Sequence, residues 1–199
     1  MLELFNFRKS LYLNEEGYKK PNYKRVARVF NEWNEYNFDS GMSDIYTRFF
    51  EKTKPYLDGI KTVHDFGCGT GNSGKPFIKH GLIVDGSDIA LKRMIEAKSK
   101  GYSNLEYGNV VEGFVPEKHD LSISVGVIGE YVTWMDMLNS MTQTSSLIAF
   151  TAMVESVDSS LDDFLETETE LLVKDVEVGW IHRDIQTKDY FFVVARTKI

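Results

Sequence analysis

The chain has 199 residues, a formal net charge of −7, and 42% hydrophobic and 13% aromatic residues. That length suits one domain with a full core rather than two, and no apolar run approaches the twenty or so residues of a membrane span. The single cysteine, Cys68, excludes an internal disulfide and a cysteine-rich metal site, while the acid excess disfavours a polyanionic partner.

Met1 to Asn14 carries scattered polar residues and no charged-then-apolar leader, so a cytoplasmic location is expected. Residues 23–38 have helical spacing and hold Phe30, Trp33, Tyr36 and Phe38. A second helical run, 43–57, follows the break Asp39-Ser40-Gly41. Basic residues gather at Lys19, Lys20, Lys24, Arg25 and Arg28. They are read first as a solvated helix face and second as a small nucleic-acid patch. Ile60 to Phe66 is short and apolar-rich, a strand that runs into Gly67-Cys68-Gly69-Thr70-Gly71-Asn72-Ser73-Gly74. A helix-compatible stretch begins at Pro76. Leu82-Ile83-Val84 starts a second strand ending in Asp85-Gly86-Ser87-Asp88, and Leu91 to Lys100 has helical periodicity. Leu105 to Val110, Asp120 to Ile128 and Leu147 to Thr151 follow as strands, with a helical stretch from Met135 to about Met141 before the last. The acidic run Asp158 to Glu170 is an exposed helix or loop. Val176–Ile181 and Tyr190–Arg196 pair as a terminal hairpin through 183–189.

The glycine turn fits three textual patterns. Gly69 to Lys75 is a literal G-x-x-x-x-G-K, but Pro76 stands where a phosphate-binding loop needs a magnesium-holding hydroxyl. Gly69 to Gly74 is also a literal G-x-G-x-x-G, and Asp88 follows as an acid suited to a ribose. Against the dinucleotide reading, Asp65 sits two residues before the first glycine, where it would repel a pyrophosphate and attract a cation. The pattern Asp65-x-Gly67-x-Gly69-x-Gly71 therefore suits a ligand with positive charge and no phosphate. S-adenosylmethionine, with its sulfonium and α-ammonium groups, is such a ligand.

Residues 63–71, Val-His-Asp-Phe-Gly-Cys-Gly-Thr-Gly, resemble the first motif of the class I S-adenosylmethionine-dependent methyltransferases, with His64 replacing a large aliphatic residue. The resemblance covers roughly residues 22–199 and is strongest over 60–100. It implies an α/β, three-layer Rossmann-like sandwich: a mostly parallel seven-stranded sheet with one antiparallel strand near the edge. It also implies a single methyltransferase domain over 1–199, with 1–58 as an N-terminal helical lid and 59–199 as the cofactor-binding core. S-adenosylmethionine is the implied cofactor and S-adenosylhomocysteine its product.

The cofactor residues implied are Asp65, Gly67, Cys68, Gly69, Gly71, Asp88, Ile89, Asn109, Val110 and Val125. Asp88 would accept from the ribose hydroxyls, though it could also cap the following helix. Asp85 is the weaker candidate for that role. Asn109 stands where the family has an acid that accepts the adenine amino group, and it could equally be a turn residue. Phe30-x-x-Trp33 resembles the lid segment of small-molecule methyltransferases, making Trp33 and Tyr36 substrate candidates; Phe30 is more simply packing.

At the exit of the fourth strand, Gly129-Glu130-Tyr131 replaces the Glu-His of many relatives. Candidates for catalysis are then Glu130 as a base, Tyr131 as an aromatic wall and, more remotely, His182. No proline motif follows that strand and no cysteine lies in it, which argues against the amino- and carbon-5-directed DNA enzymes. A small-molecule acceptor is expected, with no membrane partner. A nucleic-acid- or protein-directed enzyme and a non-catalytic S-adenosylmethionine-binding protein are the alternatives. His64, His80, His119 and His182 are far apart in sequence without ligand spacing, so no metal is expected.

Overall fold

Strand alternation decides which side chains meet which layer. The computed structural model describes residues 13–14, 17–18, 43–129, 131–182 and 186–198. Its elements are α1 (Ser43–Thr53), β1 (Thr62–Phe66), α2 (Lys75–Lys79), β2 (Ile83–Asp88), α3 (Leu91–Ser99), β3 (Leu105–Tyr107), β4 (His119–Ile128), α4 (Trp134–Thr144), β5 (Ser145–Met153), α5 (Ser159–Glu168), β6 (Thr169–His182) and β7 (Gln186–Thr197). Residues 13–14 and 17–18 form a short antiparallel pair of their own.

Val63 and Asp65 face one side of β1, while His64 and Phe66 face the other. On the first side Val63, Leu121, Ile123, Ala149 and Val194 pack with Phe49, Phe77, Met94 and Ala97 of α1, α2 and α3. On the second, Phe66, Ile148, Phe150 and Val193 pack with Met137, Leu138 and Met141 of α4 and with Leu161 and Leu165 of α5. Both faces are covered, so β5 and β7 carry near-continuous apolar runs, whereas β1 buries His64 and Asp65 and β4 alternates its apolar residues with buried Ser122 and Ser124.

Among the described residues the sheet has seven strands in the order β3-β2-β1-β4-β5-β7-β6. Strands β1 to β5 are mutually parallel. β7 enters antiparallel between β5 and β6, the single reversed strand near the edge that the resemblance implied. From β1 the chain builds outward to β2 and β3, then returns to place β4 on the other side of β1. That reversal opens a crevice at the carboxyl ends of β1 and β4. At the opposite end Asp120 Oδ2 accepts from the amides of Lys61 and Thr62, both at 2.9 Å, and from Thr62 Oγ1. These donors, the Lys61 amide first, hold its carboxyl below the usual range.

The terminal hairpin is longer than its apolar segments suggest. Its first strand starts at Thr169 rather than Val176, and pairing runs from Thr169–Thr197 to His182–Gln186. β6 is an edge strand with exposed Glu170, Leu171 and Val176, so its polar positions dilute the alternation. The acidic run resolves as α5, opened by Asp158, whose side chain accepts from the Ser160 amide.

Candidate cofactor site at the glycine turn

Gly67, Gly71 and Gly74 each answer to a particular neighbour. Gly67, Gly69 and Gly71 have φ values of +71°, +50° and +86°, a region that disfavours any Cβ. A Cβ at Gly67 would lie 2.6 Å from Val127 Cγ2, and one at Gly71 would lie 2.8 Å from both Ala97 Cα and Tyr102 Cε2. A Cβ at Gly74 would enter the Tyr102 phenol, and one at Gly86 would come within 2.9 Å of its Cε1. The Tyr102 ring thus occupies the space that Gly71, Gly74 and Gly86 leave empty. At Gly69 the nearest group, the Arg93 guanidinium carbon, is at an ordinary 3.7 Å.

The turn's amides are largely engaged within the protein. Gly67 and Cys68 N–H donate to Ser87 O at 2.8 and 3.1 Å, and Gly71 N–H donates to Cys68 O at 2.7 Å. Gly69 N–H donates to Asp88 Oδ2 at 2.8 Å, and Gly74 N–H donates to the Tyr102 hydroxyl at 2.9 Å. A phosphate cradle requires such amides to be free.

Asp65 is fully buried at the end of β1. Its Oδ2 accepts from Ser73 Oγ at 2.5 Å and from the Tyr102 hydroxyl, whereas its Oδ1 has no partner among the described residues. Burial pushes its carboxyl up to about 7, against the two hydrogen bonds that pull it down; the Asp88 charge adds to the rise. Asp88 closes β2, with Oδ1 accepting from Ala90 N–H at 2.7 Å while Oδ2 holds Gly69. Its carboxyl is also raised by burial, opposed by the Ala90 and Gly69 amides and then by Arg93. Burial holds the Cys68 thiol well above its usual range, with the Asp88 and Asp65 charges adding to the effect.

Asn109, also buried, caps the short 3₁₀ turn Val110–Glu112. Its Oδ1 accepts from Val111 N–H at 3.2 Å, which fixes the amide's orientation and leaves Nδ2 without a partner among the described residues. Ile89 and Val110 are half-buried next to Asp88 and Asn109 respectively, and Val125 lies buried in the core on the α1–α3 face. Beyond it β4 breaks register between Ser124 and Ile128, with Gly126 at φ +71° and its N–H donating to Thr151 Oγ1. Such an irregularity re-aims a strand exit. Tyr131, half-buried, follows with its N–H donating to Val127 O.

Several expectations meet different outcomes. Asp85 turns away from the glycine turn: its Oδ1 accepts from Asn104 N–H, and its Oδ2 lies 3.0 Å from His119 Nε2. His64 and His119, distant in sequence, meet on the α4–α5 face with ring centroids 5.1 Å apart. His64 Nε2 pairs with Ser87 Oγ at 2.9 Å, and burial, then the nearby His119, lowers its pKa to about 3. Glu130, Trp33, Tyr36 and the basic cluster from Lys19 to Arg28 lie outside the described residues. So does most of the expected lid. His182 is described only as backbone at the end of β6.

Tyr102 and Ser73 are functional candidates that no motif marks. Tyr102 lies 37 residues from Asp65, and the readable signal was indirect: glycines at 71, 74 and 86 that make room for one ring. A cleft of about 510 Å³ runs between α1 and α2, lined among others by Tyr46, Phe50, Lys75, Pro76 and His80 and by Asn72 of the turn.

No protein-family model matches the chain, and no curated protein matches it in sequence. Solved structures do match in fold. Magnesium protoporphyrin IX methyltransferase from Synechocystis PCC 6803, with bound S-adenosylmethionine, superposes with a TM-score of 0.70 at 16% identity, over 93% of this chain and 100% of that one. The N-methyltransferase NodS from Bradyrhizobium japonicum WM9, in complex with S-adenosylhomocysteine, gives 0.62 at 12% identity, over 89% and 98%. TehB from Haemophilus influenzae superposes with a TM-score of 0.64 at 14% identity, over 76% of this chain and 62% of that one. The chain has the Rossmann-like fold of the class I S-adenosylmethionine-dependent methyltransferases. At these identities the likeness is one of architecture, and the activity must be argued from the chain's own residues.

Proposed function

We propose that the chain transfers a methyl group from S-adenosylmethionine to a small-molecule oxygen or nitrogen acceptor by direct displacement. The carrying observation is the pair of carboxylates at the glycine turn, Asp65 and Asp88, where turn amides are already engaged. A pyrophosphate asks for free amides and no neighbouring anion. A ligand with a ribose and two cationic centres asks for acceptors.

The residues fit such a ligand. Each Asp88 oxygen accepts one amide and retains lone-pair capacity for a ribose hydroxyl. Asn109 Nδ2 is a donor suited to a ring nitrogen of adenine, a polarity opposite to the acid expected at this position. Ile89 and Val110 would flank the base, with Val125 behind. Gly67, Cys68, Gly69 and Gly71 form the turn's backbone, and Asp65 Oδ1 suits an ammonium group. Bound S-adenosylmethionine would supply a methyl group already activated by its sulfonium. The chain then has to align the acceptor and exclude water, which can lower a barrier substantially without a covalent intermediate.

Glu130 is the first candidate for a base, with Tyr131 as a wall of the acceptor site, His182 a more remote base, and Trp33 and Tyr36 as covering aromatics. Solved neighbours with bound S-adenosylmethionine or S-adenosylhomocysteine support the cofactor. The charge of −7 supports a small acceptor over a nucleic acid. A cytoplasmic site of action agrees with the lone buried thiol, and no described helix is long and apolar enough to cross a membrane.

Methyl-labelled S-adenosylmethionine offered with separate pools of metabolites, RNA and protein tests the reading. Label is expected in the metabolite pool. Label in RNA or protein instead would change the acceptor class, and no label despite cofactor binding would make the chain a binding protein.

A further inference from the structure

The Asp65 carboxyl is held asymmetrically. Ser73 and Tyr102 both donate to Oδ2, while Oδ1 is buried and has no partner among the described residues. Whether the carboxyl is ionised or protonated, one oxygen lacks a hydrogen-bond partner, which is costly unless something supplies it. Tyr102 is itself fixed from three sides: its hydroxyl accepts from Gly74 N–H, and its ring fills the space over Gly71, Gly74 and Gly86. The tyrosine cannot swing away from Oδ2 without vacating that space.

We propose that Tyr102 and Ser73 are positioning residues which pin Oδ2 of Asp65 so that Oδ1 meets the α-ammonium group of an amino-acid-bearing ligand, and that this encounter expels the Asp65 proton to solvent. The inference rests on the S-adenosylmethionine reading and adds a proton to its binding step. The proton leaves the Asp65 carboxyl for the buffer, the ligand keeps its ammonium charge, and a carboxylate–ammonium pair forms.

The surroundings agree. Burial leaves Asp65 half-titrated near neutral pH, with the Ser73 and Tyr102 hydrogen bonds favouring the carboxylate. The titratable groups facing it are Tyr102 and Cys68, both held protonated by burial, and Asp88, whose charge opposes ionisation. Arg93 acts on Asp88 and Cys68 rather than on Asp65. An arriving cation would tip that balance.

The test is calorimetric titration with S-adenosylhomocysteine between about pH 5 and pH 8.5 in buffers of different ionisation enthalpy. Methylthioadenosine, which keeps the adenosine and thioether but lacks the amine, is the control. Affinity for S-adenosylhomocysteine should fall about tenfold per pH unit below neutrality, with proton release on binding; affinity for methylthioadenosine should stay flat. Tyr102→Phe removes one donor to Oδ2, so the midpoint should move to higher pH. Ser73→Ala should do the same with less disturbance of packing.

A flat profile for S-adenosylhomocysteine, or parallel profiles for both ligands, would overturn the proton coupling. Uniform weakening in both variants with an unmoved midpoint would make Tyr102 and Ser73 merely structural. If methylthioadenosine and S-adenosylhomocysteine both fail to bind at any pH, it is the cofactor reading itself that falls.

Discussion

Gly74 has ordinary helical backbone angles, φ −80° and ψ −20°, which an alanine adopts without strain. In the dinucleotide pattern it would be the third glycine, valued for close packing at the helix start. Here its cause is specific: an added Cβ would enter the Tyr102 phenol. Gly74→Ala should therefore cost about 1–3 kcal/mol by overpacking, and the cost should shrink in a Tyr102→Ala background to what the Val84 Cγ1 contact at 2.9 Å still imposes. Chemical denaturation of the four members of that cycle measures the coupling; additive losses would contradict the contact. The same contact explains what the sequence could and could not yield. Asp65, Asp88 and the positive-φ glycines at 67, 69 and 71 were legible because a strand-to-helix turn imposes its chemistry locally. Tyr102 and the His64–His119 encounter were not, because side chains 37 or 55 residues apart meet only through the tertiary fold; Ser73, eight residues from Asp65, was missed because it fills an unspecified position between two glycines of the turn. Asp85 and Asp88 looked nearly interchangeable as text, yet three residues of strand put them on opposite faces, and only Asp88 reaches the turn.

At the level of elements, the parallel strands and their helices were readable from short apolar-rich segments between turn residues, even though β1 and β4 bury His64, Asp65, Ser122 and Ser124. β6 was read short since an edge strand carries exposed charged positions and loses its alternation. α4 was read as a helical stretch from Met135 to about Met141 and runs from Trp134 to Thr144. Thr133 caps it, with Oγ1 accepting from Asp136 N–H at 3.2 Å and donating to Asp136 Oδ2 at 2.8 Å. Its apolar stripe, Trp134, Met137, Leu138 and Met141, covers the sheet face opposite the glycine turn's helices. Thr133→Ala should lower stability by about 1 kcal/mol without altering cofactor affinity, since the Thr133 hydroxyl pairs with Asp136 of its own helix. Thermal unfolding with and without S-adenosylhomocysteine checks both halves, and a loss of affinity equal to the loss of stability would contradict the separation.

For the whole molecule, neighbouring residues on opposite faces of β1 give opposite responses to pH. His64 is lowered from 6.5 to about 3, so the unfolded chain takes up a proton the folded one refuses, and stability is lost as pH falls from 6.5 toward 3. Asp65 is raised from 3.8 to about 7, so its contribution is present below 3.8 and lost as pH rises toward 7. Between about pH 4 and 6.5 the two slopes cancel. His64→Leu, which places a large aliphatic residue there, should remove one slope. Its stability relative to the parent should rise by roughly 2–3 kcal/mol between pH 6.5 and 4.5. Denaturant unfolding curves that stay parallel over this window would mean that His64 is not held neutral.

The proposed function requires that the glycine turn with Asp65 and Asp88 receive a cationic adenosyl ligand and no phosphate. Calorimetric titration at about pH 8 with S-adenosylhomocysteine, beside NAD and ATP, tests it most directly. Saturable one-site binding of S-adenosylhomocysteine, lost in Asp88→Ala and absent for NAD and ATP, is the expected result. Binding of NAD in preference would contradict it and return the turn to the dinucleotide reading.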